Sequence, residues 1–218
     1  GPVGQYPLLA EIINNEKIPL QHVTFFFMDE YCDSSGNVLP ADHPLSFRGT
    51  AENAFFRHID PGLRPAAENV IFPCETNGRF LAEQIKKTGG IDICYGGIGI
   101  HGHIAFNEPE PGVSESSIRR VRLNNYTVTM NAIRAGVGGN LECFPRSAFT
   151  LGMREILSAR RIMLACRNGG PYDWANTVLR LALFGSPGDD YPVTHIRRCE
   201  KYTVFTDEET LAEPITLL

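Results

Sequence analysis

The hydrophobic positions alternate along the chain between short apolar runs and longer segments with helical spacing. Residues 23–28 are almost continuously apolar, which is typical of a strand that is covered on both faces. By the same criterion we expect strands at 23–28, 69–72, 91–95, 148–151, 161–166 and 202–205. Helical spacing predicts helices at 6–15, 52–58, 79–87, 126–134 and 172–184.

This alternation of strands and helices predicts an α/β fold with three layers, α/β/α, around a mostly parallel, Rossmann-like sheet. A chain of 218 residues suits one domain with a single core. The turn-rich loops 32–44 and 109–117 are not domain linkers, because apolar periodicity resumes directly after each. We therefore expect residues 1–218 to form a single domain.

Composition narrows the classes of function. The net charge of −5 argues against a partner made of nucleic acid, and no apolar run approaches the roughly 20 residues of a membrane span. No signal peptide is visible. The six cysteines stand singly, without a C-x-x-C pair, which favours reduced thiols in a cytoplasmic protein over a disulfide framework or a zinc site.

Candidate chemistry follows the predicted strands, because ligands of such sheets bind beyond the carboxyl ends of the strands. Asp29 follows the first apolar run, and a run of glycines with His101 and His103 follows the third. Glycines allow a backbone to approach a ligand closely. A histidine with a nearby carboxylate such as Glu108 is a common general acid/base arrangement.

Other interpretations of these side chains stay open. His103 could be a partly buried histidine that bonds a backbone carbonyl, and Asp29 could begin a solvated loop. His101, His103 and Glu108 could also hold a metal ion. We predict no metal, because no further cluster of His, Cys or Asp completes the ligand shell.

Two motifs resemble the glucosamine-6-phosphate deaminase/isomerase family. They are Met28-Asp29-Glu30-Tyr31 and Gly102-His103-Ile104-Ala105-Phe106-Asn107-Glu108-Pro109. The related 6-phosphogluconolactonases have Gly-His-x-Ala-Ser-Leu-Phe-Pro at the second motif. The resemblance implies conversion of an aminosugar 6-phosphate, glucosamine 6-phosphate or an epimer, to a ketose 6-phosphate and ammonia, without a cofactor.

The resemblance also implies roles for individual residues. His103 would be the base that opens the sugar ring, Glu108 would orient it, and Asp29 would shuttle a proton between C2 and C1. The backbone at the glycines would lie near the sugar, at Gly96, Gly97 and Gly99.

The chain departs from the family pattern in the same region. His101 stands where the family has an aspartate, and Pro171 stands where it has a phosphate-binding lysine, so that Arg167 is a candidate substitute. Arg134 fits the family's phosphate-binding arginine after a shift of one residue. The basic segment 119–122 is either a solvated strand or an effector or subunit-interface site.

These departures leave two further functions open, a sugar-phosphate binding or regulatory protein that has lost efficient catalysis and a hydrolase like 6-phosphogluconolactonase. Gly1 resembles the end of a phosphate loop, so the sequence is expected to lack one or more N-terminal strands and a helix of the family domain. The expected partner is a small phosphorylated sugar, with a possible homo-oligomer.

Overall fold

The computed structural model describes residues 3–169 and 174–214, so the candidates Gly1 and Pro171 lie outside the described residues. The helices are α1 Tyr6–Asn15, α2 Phe47–Ala54, α3 Leu81–Lys87, α4 Asn125–Arg134, α5 Met153–Leu157, α6 Trp174–Phe184 and α7 Glu208–Leu211. The strands are β1 Phe25–Phe26, β2 Asp29–Cys32, β3 Val70–Ile71, β4 Ile93–Gly97, β5 Arg119–Arg122, β6 Ser147–Thr150, β7 Arg161–Ala165 and β8 Tyr202–Phe205.

Most strand pairings are parallel, as the sequence predicts. Strands β4, β7 and β8 form one parallel sheet in that order, and β1 pairs with β3 in parallel. The side chains of Cys94, Ile162 and Leu164 pack into a core with residues of α3, α5 and α6. On the opposite face Ile93 and Phe205 are exposed. The α/β fold with a mostly parallel sheet is confirmed.

An antiparallel sheet, β2-β6-β5, is the main element that the sequence did not predict. It arises because the apolar run changes partners near Met28. The N–H of Phe27 still donates to the carbonyl of Ile71 at 2.8 Å, whereas the carbonyl of Met28 accepts from the N–H of Leu151 at 2.6 Å. Asp29 follows directly and pairs with Thr150 across the new ladder. This residue therefore stands where the chain passes from the parallel to the antiparallel sheet.

The predicted helix boundaries hold for α1 and fail for α2. Helix α1 covers the predicted residues 6–15. Helix α2 begins five residues earlier than the predicted 52–58, because the hydroxyl of Ser46 accepts a hydrogen bond from the N–H of Gly49 and caps it. The predicted C-terminal half of that segment is a separate 3-10 turn, Phe56–His58.

The loop after Tyr31 is a tight hairpin. Cys32 and Val38 form a bridge, and one carboxylate oxygen of Asp33 accepts from the N–H groups of Ser35 and Asn37 at 2.8 and 3.0 Å. At its tip Gly36 has φ +88° and contacts the side chain of Arg120 so closely that a Cβ atom would strike the guanidinium. The loop thus packs on β5. None of the helices in the described residues is long and apolar enough to cross a membrane.

Candidate active site

Asp29 lies partly buried at the start of β2. None of the residues that the structure describes donates a hydrogen bond to its carboxylate. Burial raises its pKa to about 7, and the neighbouring charge of Glu30 adds to the rise. An aspartate with such a pKa can accept and return a proton near neutral pH, as a general base must.

Glu30, the next residue, has a different environment. Its side chain is 1% exposed. Its carboxylate accepts hydrogen bonds at 2.9 to 3.0 Å from four donors, the N–H groups of Tyr31, Phe47 and Arg48 and the hydroxyl of Ser46. Glu30 therefore anchors the N-terminus of α2, where an anion is favourable, and acts as a structural residue.

The glycine run places backbone in contact with side chains of the site. A Cβ atom on Gly96 would lie 2.9 Å from the methyl carbon of Met28, next to Asp29. A Cβ atom on Gly99 would overlap the ring of His103, 1.9 Å from Nε2. The N–H of Gly99 donates to the carbonyl of His103 at 2.9 Å. Gly99 is thus required for the imidazole to lie where it does, and Gly97 ends β4 beside it.

His103 is 8% exposed, and its Nδ1 is buried with no hydrogen-bond partner among the described residues. Burial lowers its pKa to about 3, with smaller contributions from the charges of His101 and Arg134. The imidazole is therefore neutral at physiological pH. A buried nitrogen without a partner is rare in proteins and is typical of functional positions.

The loop that carries His103 is docked beside Asp29. The N–H of Phe106 donates to the hydroxyl of Thr150 at 3.1 Å, and Thr150 is the cross-strand partner of Asp29. The side-chain amide of Asn107 donates to the carbonyl of Leu151 at 2.8 Å. These bonds bring the two expected acid/base residues to one end of β6.

Glu108 does not bond His103 in this structure. One of its carboxylate oxygens accepts from the N–H of Asn124 at 2.8 Å, and Oε1 is buried with no partner among the described residues. Burial raises the pKa of Glu108. Its clearest role is to hold the first turn of α4, whereas the expected orientation of His103 stays a prediction.

His101 contacts α4 rather than the other two members of the candidate metal set. Its Nδ1 lies 3.1 Å from the side-chain nitrogen of Asn124, and its ring lies 4.5 Å from that of Tyr126, between centroids. Burial lowers its pKa. Among the described residues no group of three or more His, Cys, Asp or Glu side chains could hold a metal ion.

Arg134, the last residue of α4, faces the same site. Its charge acts on His103 and on Tyr31, whose hydroxyl accepts from the side-chain amide of Asn131 at 2.9 Å. Its guanidinium lies 5.6 Å from the ring centre of Trp174, whose indole N–H is buried with no partner among the described residues. Spacing along the chain does not select Trp174 or Asn124, since their contacts with Arg134 and His101 join distant segments.

Arg167 lies apart from this group. It is exposed, and its charge acts on Asp207 at the N-terminus of α7, where the hydroxyl and N–H of Thr210 are the larger causes of the lowered pKa of that aspartate. The structure therefore brings Arg134, and not Arg167, towards His103.

The cysteines are unpaired and take no part in the site. Burial raises the pKa of Cys94 and of Cys166 to about 12 and that of Cys32 to about 11. These thiols are protonated at neutral pH and are poor nucleophiles.

The chain is similar to known glucosamine-6-phosphate deaminases. It is 38% identical over 168 residues to the one of Caenorhabditis elegans, which covers 75% of this chain and 59% of that protein. It is 31% identical over 221 aligned positions to the one of Aeromonas salmonicida, covering 97% of this chain and 76% of that protein. Against three of the relatives, those of C. elegans, Pongo abelii and Phocaeicola vulgatus, the chain spans only 54 to 60% of their length.

Solved structures of similar fold include a deaminase and a lactonase. A monomeric glucosamine-6-phosphate deaminase of the NagB superfamily superposes with a TM-score of 0.83 at 28% identity, over 96% of this chain and 83% of that one. A 6-phosphogluconolactonase of Thermotoga maritima, 19% identical, shares the fold with a TM-score of 0.64 over 94% of this chain and 79% of that one. No family model matches the chain. On the similarity to its A. salmonicida relative, the chain belongs to the glucosamine-6-phosphate deaminase family.

Proposed function

We propose that this chain converts an aminosugar 6-phosphate, glucosamine 6-phosphate or an epimer, to the ketose 6-phosphate and ammonia. The observation that carries the proposal is the pairing of a neutral imidazole with a carboxyl group of raised pKa at one end of β6. His103 has its pKa lowered to about 3 and Asp29 has its pKa raised to about 7. Two groups whose pKa values move apart in one site can divide the base and shuttle roles.

The chemistry needs both groups in turn. His103 removes the proton of the C1 hydroxyl and returns a proton to the ring oxygen as the bond from C1 to that oxygen breaks. Asp29, as the carboxylate, removes the C2 proton of the open-chain aldehyde and delivers it to C1 of the enolamine. The resulting imine at C2 takes up water and releases ammonia, which leaves the ketose.

Arg134 supports the phosphate end of the substrate. A guanidinium can bind two phosphate oxygens at once, and the ring of Trp174 restricts its motion. We assign the phosphate contact to Arg134 because its charge acts on His103, whereas that of Arg167 acts on Asp207.

The test is to incubate the purified chain with the 6-phosphates of glucosamine, galactosamine and mannosamine and to measure ammonium and ketose 6-phosphate. We expect the two products in equal amounts from one of these substrates. Zero turnover of all three would reject the proposal. A rise in melting temperature without turnover would then indicate a sugar-phosphate binding protein, and hydrolysis of 6-phosphogluconolactone above background would indicate a lactonase-like hydrolase.

We place the reaction in the cytoplasm, which suits six unpaired cysteines. The possible homo-oligomer stays a prediction, which light scattering of the purified protein tests. The similar solved deaminase is monomeric.

A further inference from the structure

The orientation of the Asn124 side chain is fixed by the helix that it caps. Its Oδ1 accepts a hydrogen bond at 2.9 Å from the N–H of Thr127, in the first turn of α4. The other end of the amide, Nδ2, therefore faces His101, 3.1 Å from its Nδ1. Turning the amide over would place NH₂ against the N–H of Thr127 and would lose the cap.

This orientation decides the tautomer of His101. An amide nitrogen only donates, so the Nδ1 of His101 has to accept and carries no hydrogen. A neutral imidazole has one hydrogen, which must then lie on Nε2. The ring stays neutral because burial lowers its pKa.

The Nε2–H group is free to bind a ligand. Among the described residues it has no hydrogen-bond partner, and the ring is only partly buried, against Tyr126. A charge on His101, if the ring were protonated, would lower the pKa of His103, so the two rings lie near each other in the site. The site therefore offers a neutral donor beside the base, at the position where a carboxylate would offer an acceptor.

We infer that Asn124 is a positioning residue that fixes His101 as the Nε2–H tautomer, and that His101 donates this hydrogen to the sugar oxygen at C1. When His103 removes the proton of the C1 hydroxyl, negative charge develops on that oxygen. A fixed N–H donor stabilises this charge, whereas a carboxylate would oppose it. The part that concerns substrate rests on the proposed function, but the tautomer does not.

The tautomer is tested without any substrate, by ¹⁵N NMR of the histidine-labelled chain. The His101→Gln variant assigns the His101 signals by their loss. We expect a shift typical of an unprotonated nitrogen at Nδ1 and of a protonated one at Nε2. The reverse pattern would overturn the inference.

Two variants of Asn124 test the positioning. In Asn124→Asp one oxygen can still cap α4, but the other presents an acceptor to His101 and should draw a hydrogen onto Nδ1. In Asn124→Ser the hydroxyl keeps the cap and removes the partner of His101, so its signals should show a mixture of tautomers. His101 signals that match the wild type in both folded variants would contradict the positioning role.

Activity measurements test the proposed hydrogen bond from His101 to the sugar oxygen separately from the proposed deaminase activity. If the chain deaminates an aminosugar phosphate, His101→Phe, which keeps a ring against Tyr126, should lower kcat about 100-fold with little change in KM. A kcat within threefold of the wild type would reject the donor role while leaving the proposed function intact. If the wild type shows no turnover, the proposed function fails and the donor role with it, while the NMR result on Asn124 stands by itself.

Discussion

Asp29 and Glu30 are adjacent carboxylates at the junction of two sheets, yet the structure places them in opposite environments. Glu30 is buried, and its carboxylate oxygens accept hydrogen bonds from donors at the start of α2. Asp29 is partly buried without such donors from the described residues, and its pKa rises to about 7. A buried carboxylate with several hydrogen-bond donors holds structure, whereas one with a pKa near neutrality can exchange protons. Among the described residues, the number of hydrogen-bond donors separates the two carboxylates more clearly than burial does.

The largest effect is expected for Asp29→Asn. The amide cannot take a proton from C2, so kcat should fall about 10²- to 10⁴-fold. The free energy of unfolding at pH 8 should stay equal or rise, because the wild type must bury a charge there. Ammonium release and urea unfolding measure the two quantities. A kcat within tenfold of the wild type would show that Asp29 is not the shuttle.

Glu30→Gln should give the converse result. The amide turns one acceptor into a donor that faces the N–H groups of α2, which should lower the free energy of unfolding by about 3 kcal/mol. The kcat per folded molecule should stay within a few-fold. Urea unfolding and active-site titration check this, and a loss of kcat with normal stability would reverse the assignment of the two carboxylates.

Two arginines differ in a similar way, because Arg134 lies near His103 whereas Arg167 lies near Asp207. Arg134→Gln should raise KM about 10- to 100-fold, because a charge-assisted contact to phosphate is lost. Trp174 is the sole tryptophan of the chain and lies against Arg134, so its fluorescence should change on titration with substrate or inorganic phosphate. The matched control is Arg167→Gln, for which we expect a KM near that of the wild type. Equal effects of the two substitutions would contradict the assignment.

The pH dependence sharpens the role of Asp29. Because its pKa is raised to about 7, the carboxylate form grows as the pH rises through 7. The kcat/KM should therefore fall about tenfold per pH unit below 7 and level off above it. His103, with a pKa lowered to about 3, adds no limb in this range. A profile that is flat from pH 5 to 8 would contradict the raised pKa.

The smallest effect concerns stability in acid. The folded pKa of His103, about 3, lies below the ordinary 6.5, so the unfolded chain binds the extra proton between these values. The free energy of unfolding must then fall as the pH falls from 6.5 towards 3. His103→Gln lacks this contribution and should lose less stability than the wild type between pH 7 and 5. Urea midpoints at the two pH values give the difference, and parallel losses would argue against the buried neutral imidazole.

The sequence predicts those helices and strands whose formation depends on neighbouring residues. Strand β1 within the apolar run before Asp29, helix α1 and the strand that ends at the glycine run follow from periodicity. Helix α2 begins before its predicted start because its N-terminus is anchored by Glu30, sixteen residues before Ser46. The antiparallel sheet does not follow from the pattern of apolar residues, because a change of ladder partner at Met28 leaves no mark in it.

The same division applies to the candidate site residues, whose roles stay predictions. Their places after strands select Asp29 and His103 as candidates, and the loop that carries His103 contacts Thr150, the cross-strand partner of Asp29. Asn124 and Trp174 cannot be selected from the sequence, because each contacts a site residue that is distant along the chain. Asn124 contacts His101, and Trp174 contacts Arg134. Such pairings depend on tertiary packing, which no spacing rule encodes.

One experiment tests the central claim most directly, namely the reaction of glucosamine 6-phosphate in D₂O with the wild type, Asp29→Asn and Glu30→Gln. For the wild type and for folded Glu30→Gln, we expect equal amounts of ammonium and fructose 6-phosphate, with any deuterium gained from solvent located at C1. For Asp29→Asn we expect neither product above background. Products from Asp29→Asn at a rate near that of the wild type, or no products from the wild type, would contradict the account.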